Sequence, residues 1–340
     1  MNDKHGAGRV QVRLMFRTPG LGKSHERLYE TVQANLPAMF KVEEWFAPGN
    51  SMRPLGFVRN LFEARRSMSD INHITGGVLT YLLFALPRDS TVVTIHDCAT
   101  LRRLSGWRHW VWLHFWYRWP LRRAEVIVAV SEATRRELEE WVPEVSQKLR
   151  VINNCIPEEF SPAPNEFEEE VPTILQVGTS SRKNLRRVAQ ALEGITCKLR
   201  IIGELSAEQR DQLERSGVDY SSVHDVPDDK MVQEYERADM LVFASTLEGF
   251  GMPIVEAQTV GRPVVTSRWE PMSSVSGGAA MLVDPESTMS IRNGILKIIN
   301  DRHFRERCVE DGYENARQFR PETVADKYAK VYNEIIEGHS

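Results

Sequence analysis

Short β-branched apolar runs alternate with amphipathic helical stretches along most of the chain. Val10 to Phe16 alternates apolar and polar residues and reads as a strand. RTPGLGKS then breaks the pattern, and a helix is expected from about His25 to Leu36. Val92 to Ile95 and Val126 to Val130 have the composition of buried strands. Ser131 is placed to cap the helix SEATRRELEEWV, and Leu149 to Ile152 predicts a further strand. A second series starts at Thr173. Strands are expected at Thr173 to Gly178, Lys198 to Gly203, Asp239 to Ala244 and Pro263 to Thr266. Helices are expected from about Asn184, from Ala207 and near Pro253 to Thr259, with closing helices to Ile336.

Between the two series, residues 161–172 hold three prolines (Pro162, Pro164, Pro172) and four glutamates (Glu166, Glu168, Glu169, Glu170). This composition predicts a solvated linker. Strand–helix alternation on both sides predicts an α/β protein with two doubly wound, Rossmann-like domains, residues 1–160 and 173–320. A last helix, 321–340, carries Val324, Tyr328, Val331, Tyr332 and Ile335 at helical spacing and could fold back onto the first domain. Such domains bind ligands at the carboxyl ends of their strands, so two of them facing each other would form a cleft.

The length of 340 residues suits two domains. Forty-three Lys and Arg against 47 Asp and Glu give a net charge of −4, which argues against a nucleic-acid binder. The four cysteines, Cys98, Cys155, Cys197 and Cys308, lie far apart and suggest neither a zinc site nor a disulfide framework. They read as reduced thiols of a cytoplasmic protein. The start of the chain lacks the apolar core of a signal peptide. The longest apolar run, 76–87, is too short to span a bilayer, which needs about 20 residues.

The most informative stretch is STLEGFGMPIVEA, residues 245–257, which follows the apolar strand MLVFA. Glycines in a strand-to-helix turn permit positive φ or a close backbone approach to a ligand, and Pro253 suits a helix start. The free N–H groups of Gly249 to Met252 and the helix dipole favour a diphosphate there. Glu256, expected in the first turn, and Glu248, on the loop, are acceptors for sugar hydroxyls. On these residues alone, an ordinary loop with a capping glutamate explains the stretch equally well.

STLEGFGMPIVEAQTVGRPVVTS resembles the donor-site signature of the family-4 retaining glycosyltransferases, which have the GT-B fold. ILQVGTSSRKNL, YERADMLVFAS, VVTIHD, VIVAVSEAT and LRVINNCIPEEF resemble other family segments in the same order. The resemblance implies transfer of a hexose, with mannose slightly favoured, from a nucleotide diphosphate sugar to a glycan or lipid-linked acceptor. It implies that Glu256 binds the donor ribose and that Glu248 contacts the transferred sugar, with the backbone of Gly249, Phe250 and Gly251 lining its hydroxyls. Lys183, with Arg182, would neutralise the diphosphate, and Gly178 would let the first loop approach the donor. His96 would stand near the reacting sugar. Two departures are visible: Thr179 stands where many members have arginine, and Asn154-Cys155 replaces the usual Asn-Gly. No Asp-x-Asp cluster is placed to hold a divalent ion, and no cofactor is expected beyond the donor substrate.

Two further signals compete for attention. The loop RTPGLGKS suggests a P-loop, but the first required glycine is Arg17, so only half the pattern is present. In the GT-B reading Gly20 and Gly22 become candidates for a cleft loop. Residues 101–123 contain five tryptophans, Phe115, Tyr117 and six arginines, with no acidic residue from 98 to 124. They read either as a core helix or as an amphipathic helix on an anionic membrane, at the inner face of which the protein would be peripheral. A glycoside hydrolase using Glu248 and Glu256, and a non-catalytic nucleotide-sugar-binding module, remain alternatives.

Overall fold

The computed structural model describes residues 9–19, 23–51 and 53–338. The chain divides into two compact units, residues 1–155 with 321–340, and residues 156–320. Each is built on a six-stranded sheet whose pairings are all parallel.

The strands of the first unit are β1 Val10–Phe16, β2 Phe40–Phe46, β3 Ile71–Ile74, β4 Thr91–Ile95, β5 Val126–Ala129 and β6 Leu149–Val151, in the order β2-β1-β3-β4-β5-β6. Those of the second are β7 Thr173–Val177, β8 Lys198–Ile202, β9 Asp219–Val223, β10 Met240–Phe243, β11 Val264–Ser267 and β12 Met281–Val283, in the order β12-β11-β10-β7-β8-β9. Every residue of β3, β4, β5, β10 and β11 is buried, as expected for parallel strands covered on both faces. The chain reverses its direction of travel across the sheet between β1 and β3, and again between β7 and β10. These are the switch points where doubly wound sheets open a crevice.

The helix Pro321–Glu337 belongs to the first unit. Val324, Tyr328, Val331, Tyr332 and Ile335 pack in one cluster with Val12, Leu14, Tyr29 and Phe40. Beneath it lies a buried polar hub. His73 Nδ1 is 2.7 Å from the Tyr332 hydroxyl, and its Nε2 is 2.8 Å from Thr94 Oγ1, which also receives the Tyr29 hydroxyl proton at 2.8 Å. Burial lowers the His73 pKa to about 3, so the ring is neutral near pH 7.

Residues 161–172 are mostly exposed, as their composition requires, but they are not a free linker. Ala163 N donates to the Val260 carbonyl, and Glu168 N and Thr173 N donate to the Asp239 carboxylate at 3.0 and 2.7 Å. Glu169 pairs with the buried Arg305 at 2.6 Å, and the guanidinium of Arg305 lies over the Phe167 ring. The change of unit falls earlier, after Cys155. From there Ile156 N bonds to the Phe319 carbonyl and Phe160 packs edge-on against Tyr235.

The aromatic segment also departs from a single amphipathic helix. It comprises helical turns Ala99–Arg103 and Gly106–Trp112, a π-helical stretch Leu113–Arg118, and Trp119–Leu121. Tyr117 is buried, and Trp112 and Trp116 pack on the core, whereas Trp107, Trp110, Phe115 and Trp119 are exposed. The core reading therefore describes Trp112, Trp116 and Tyr117, and the other four aromatics lie outside it.

Candidate functional site

The sheet order sets β10 beside β7, so the loops leaving their carboxyl ends are neighbours. A backbone hydrogen bond from Thr246 N to the Arg182 carbonyl joins them at 2.9 Å. Gly178 opens the first loop with φ +89°. A Cβ at this position would lie 2.9 Å from Lys183 Cε and 3.0 Å from its Cγ. The glycine therefore gives Lys183 room to lie back across the loop, a role distinct from the direct approach to a donor implied by the resemblance.

Lys183 Nζ sits 2.7 Å from Glu248 Oε1, with side chains only 14% and 9% exposed, and 4.4 Å from the centre of the Phe243 ring. Burial pulls the Lys183 pKa below the ordinary lysine range, and the Glu248 charge works against that shift. The two residues meet because both loops leave adjacent strands. Asn184, in the left-handed conformation at φ 61°, holds them in place: its buried Nδ2 donates to the Ala244 and Pro285 carbonyls at 3.0 and 2.7 Å. Gln176 Nε2 donates to the Lys183 carbonyl at 3.0 Å.

The second loop ends at Gly251, with φ +110°, which starts the helix Met252–Val260 with Pro253 in its first turn. Of the two glycines in this turn only Gly251 needs positive φ; Gly249 does not. Gly251 offers no side-chain cap, Pro253 has no N–H and Ile254 N donates to the Gly251 carbonyl at 3.0 Å, so this end presents the Met252 N–H and the helix dipole. The Phe250 side chain is buried against Phe319, which leaves only its backbone for a ligand.

Glu256 lies in the second turn of the helix, because the helix begins at Met252; the first-turn placement is corrected. Its Oε2 receives the Tyr235 hydroxyl proton at 2.5 Å. Burial first, and then the Glu256 charge, raise the Tyr235 pKa far above the tyrosine range, so the phenol remains a donor. The Glu256 charge also acts on Lys183. Arg182 is exposed and serves the loop through its carbonyl. Thr179, which stands where an arginine is usual, donates to the Glu204 carbonyl at 2.7 Å.

His96 belongs to the other unit. It is half-buried at the end of β4, with Nε2 3.0 Å from the Thr75 carbonyl oxygen. It lines a cavity of about 110 Å³ beside the first switch point, with Arg17, Glu26, Asp97, Val78 and Trp112 in the wall. Arg17 Nε and Glu26 Oε1 are buried there without a hydrogen-bond partner among the described residues. Gly20 and Gly22 lie outside the described residues. Sequence reasoning missed Asn184, Tyr235, Gln176, Arg17 and Glu26. Only Asn184, directly before an amphipathic helix, carried a readable signal.

Two doubly wound units, the second with a buried lysine–glutamate pair beside a helix start at its switch point, define the class of fold. Residues 157–315 match the family model of glycosyl transferases group 1, and residues 6–160 match that of glycosyltransferase family 4. The chain belongs to the family-4 glycosyltransferases and has the GT-B fold.

A relative is the O-antigen chain mannosyltransferase B of Escherichia coli, 35% identical over 107 residues. That match covers 32% of this chain, and spans little more than a quarter, 28%, of the relative. Among solved structures, sucrose-phosphate synthase from Thermosynechococcus elongatus superposes with a TM-score of 0.78 at 16% identity, covering 97% of this chain and all of that one. Anabaena Alr3699/HepE in complex with UDP and glucose gives 0.76 at 16% identity, over 96% of this chain and all of that one.

Proposed function

We propose that the chain is a retaining, metal-independent hexosyltransferase. It moves a sugar, mannose before others, from a nucleotide diphosphate donor to a hydroxyl of a glycan or lipid-linked acceptor. The observation that carries this reading is the Lys183–Glu248 pair at 2.7 Å, beside the helix start at Gly251. A leaving nucleoside diphosphate gains negative charge as the glycosidic bond breaks, and a fixed, desolvated cation stabilises that charge. Lys183 supplies it, with the exposed Arg182 and the helix start at Gly251 beside it. Glu256, oriented by Tyr235, receives the ribose hydroxyls, and Glu248 receives a hydroxyl of the transferred hexose.

In the transfer, the bond from the anomeric carbon to the donor phosphate oxygen breaks. The acceptor oxygen bonds to the same face of that carbon, and its proton passes to the leaving diphosphate. The cavity beside His96 is the place for the acceptor. The similarity to a mannosyltransferase supports mannose, and a structural neighbour solved with UDP and glucose supports a nucleotide-sugar donor. We place the activity in the cytoplasm, at the inner face of a membrane reached through residues 101–123.

A thermal-shift screen with GDP, UDP, ADP and their sugars tests donor binding, since a ligand of the folded state raises its melting temperature. Product anomers read by NMR then test retention. Binding without turnover on any acceptor would make the chain a binding module. Free sugar released as fast as it is transferred would make it a hydrolase.

A further inference from the structure

We propose that the first unit carries a docking face for an anionic lipid bilayer, shared between the aromatic segment 106–121 and a second, sequence-distant helix, Pro54–Arg66. That helix has two apolar stripes. Phe57, Leu61 and Ala64 face inward and pack on the core. Leu55, Val58 and Phe62, at i, i+3 and i+7, form a second stripe on roughly the opposite side, and they are 88%, 62% and 54% exposed. A helix that only completes a core needs one stripe.

The two segments are neighbours. Phe57 stacks on Tyr81 at 4.4 Å and approaches Trp116 at 6.3 Å, and the Trp116 carbonyl accepts from Thr80. Both thus pack on Gly77–Phe84, whose own Val78 and Phe84 are exposed. Trp107, at 76%, and Trp110, at 52%, extend the apolar surface.

Charge selects the occupant. Residues 53–68 and 99–123 hold ten arginines and one carboxylate, Glu63, in a chain of net charge −4. Arg53, Arg59, Arg65, Arg66, Arg103 and Arg108 are exposed. Arginines flanking exposed tryptophan, leucine and phenylalanine match the headgroup-to-acyl boundary of an anionic leaflet, where the cation meets phosphate and the ring enters the interface. No described helix is long and apolar enough to cross a bilayer, so contact is with its surface. Val78 and Trp112 also wall the His96 cavity, so the lipid face runs into the place proposed for the acceptor. This consequence rests on the sugar-transfer reading; the binding itself does not.

The test uses the full chain with phosphatidylcholine vesicles, with and without phosphatidylglycerol, at low salt, read by co-sedimentation and tryptophan emission. The expected result is binding and a blue shift with phosphatidylglycerol only. It should be weakened by salt and reduced at least about tenfold in L55S/V58S/F62S, a variant that keeps its circular dichroism and any nucleotide-induced thermal shift. If that variant does not fold, R59E/R65E carries the same expectation. Wild type that ignores the vesicles, equal binding to neutral vesicles, undiminished binding by the variants, or a concentration-dependent dimer abolished by the triple substitution would each overturn the proposal. Vesicle binding without any nucleotide-induced thermal shift would refute the sugar-transfer reading and leave the docking face standing.

Discussion

The phenol of Tyr235 donates a 2.5 Å hydrogen bond to Glu256 Oε2, and the Tyr235 side chain is fully buried. The bond helps orient a half-buried carboxylate on a helix whose Val255 and Ala257 are buried. Y235F removes the donor and leaves the ring's packing unchanged. Hydrogen bonds to charged groups contribute about 1.5–3 kcal/mol, so the KM for donor should rise about tenfold or more. The change in kcat should be small, because a ribose contact is made equally in ground and transition states. Steady-state kinetics at varied donor concentration would show the split, and E256Q should resemble it.

If Lys183 holds the diphosphate as proposed, it sets the pH dependence of donor binding. Burial lowers its pKa, so the ammonium is lost on raising pH before an ordinary lysine would lose its proton, at about 10.4. Affinity for a nucleoside diphosphate should therefore fall with rising pH below that value. Between the lowered pKa and the ordinary one the unfolded chain binds more protons than the folded chain, so stability itself rises with pH there. K183R should abolish the pH dependence of binding. K183A should lower kcat/KM at least about tenfold, about 1.4 kcal/mol. Calorimetric titration with GDP and UDP across alkaline pH measures the first, and initial rates the second.

G178A places a methyl group where Lys183 now lies, on a backbone at φ +89°. Left-handed backbone costs a non-glycine residue about 1–2 kcal/mol, and the lysine must move. Both a lower melting temperature and a loss of donor affinity comparable to that of K183A are expected. A variant that lost stability yet bound the nucleotide normally would show that the side chain's path across the glycine does not matter.

Much of this was legible because apolar runs and glycine turns report directly on strands and their exits. The strands β4, β5, β7, β8, β10 and β11 stand where the apolar segments predict them, β4 and β5 from β-branched runs. The edge strands β2 (FKVEEWF) and β9 (DYSSV) were not legible, because an edge tolerates charge and carries no clean alternation. β3 (INHI) hides a histidine in a fully buried position. Lys183 and Glu248 were readable as motif residues. Their partnership was not, since it depends on which strands become neighbours. Tyr235, which reaches Glu256 from another helix, had no local signature at all.

The buried histidine leads to a stability prediction. The His73 pKa drops from 6.5 to about 3 on burial, so the folded protein excludes a proton that the unfolded chain binds. Stability from this group is complete above about pH 6.5 and declines by about 1.4 kcal/mol per pH unit below it. Urea denaturation at pH 7 and pH 5 should show the decline, and H73Q should reduce the slope while lowering stability at both values.

The first unit is assembled from the two ends of the described chain, whereas the second is continuous. On a ribosome, residues 156–320 emerge as a whole and can fold while translation is still under way. The nascent first unit must wait with the apolar surface of Val12, Tyr29 and Phe40 uncovered until the helix ending at Glu337 is made. Val12, Tyr29 and Phe40, made before the second unit, are thus covered only after it, and a chaperone would find its substrate on that surface.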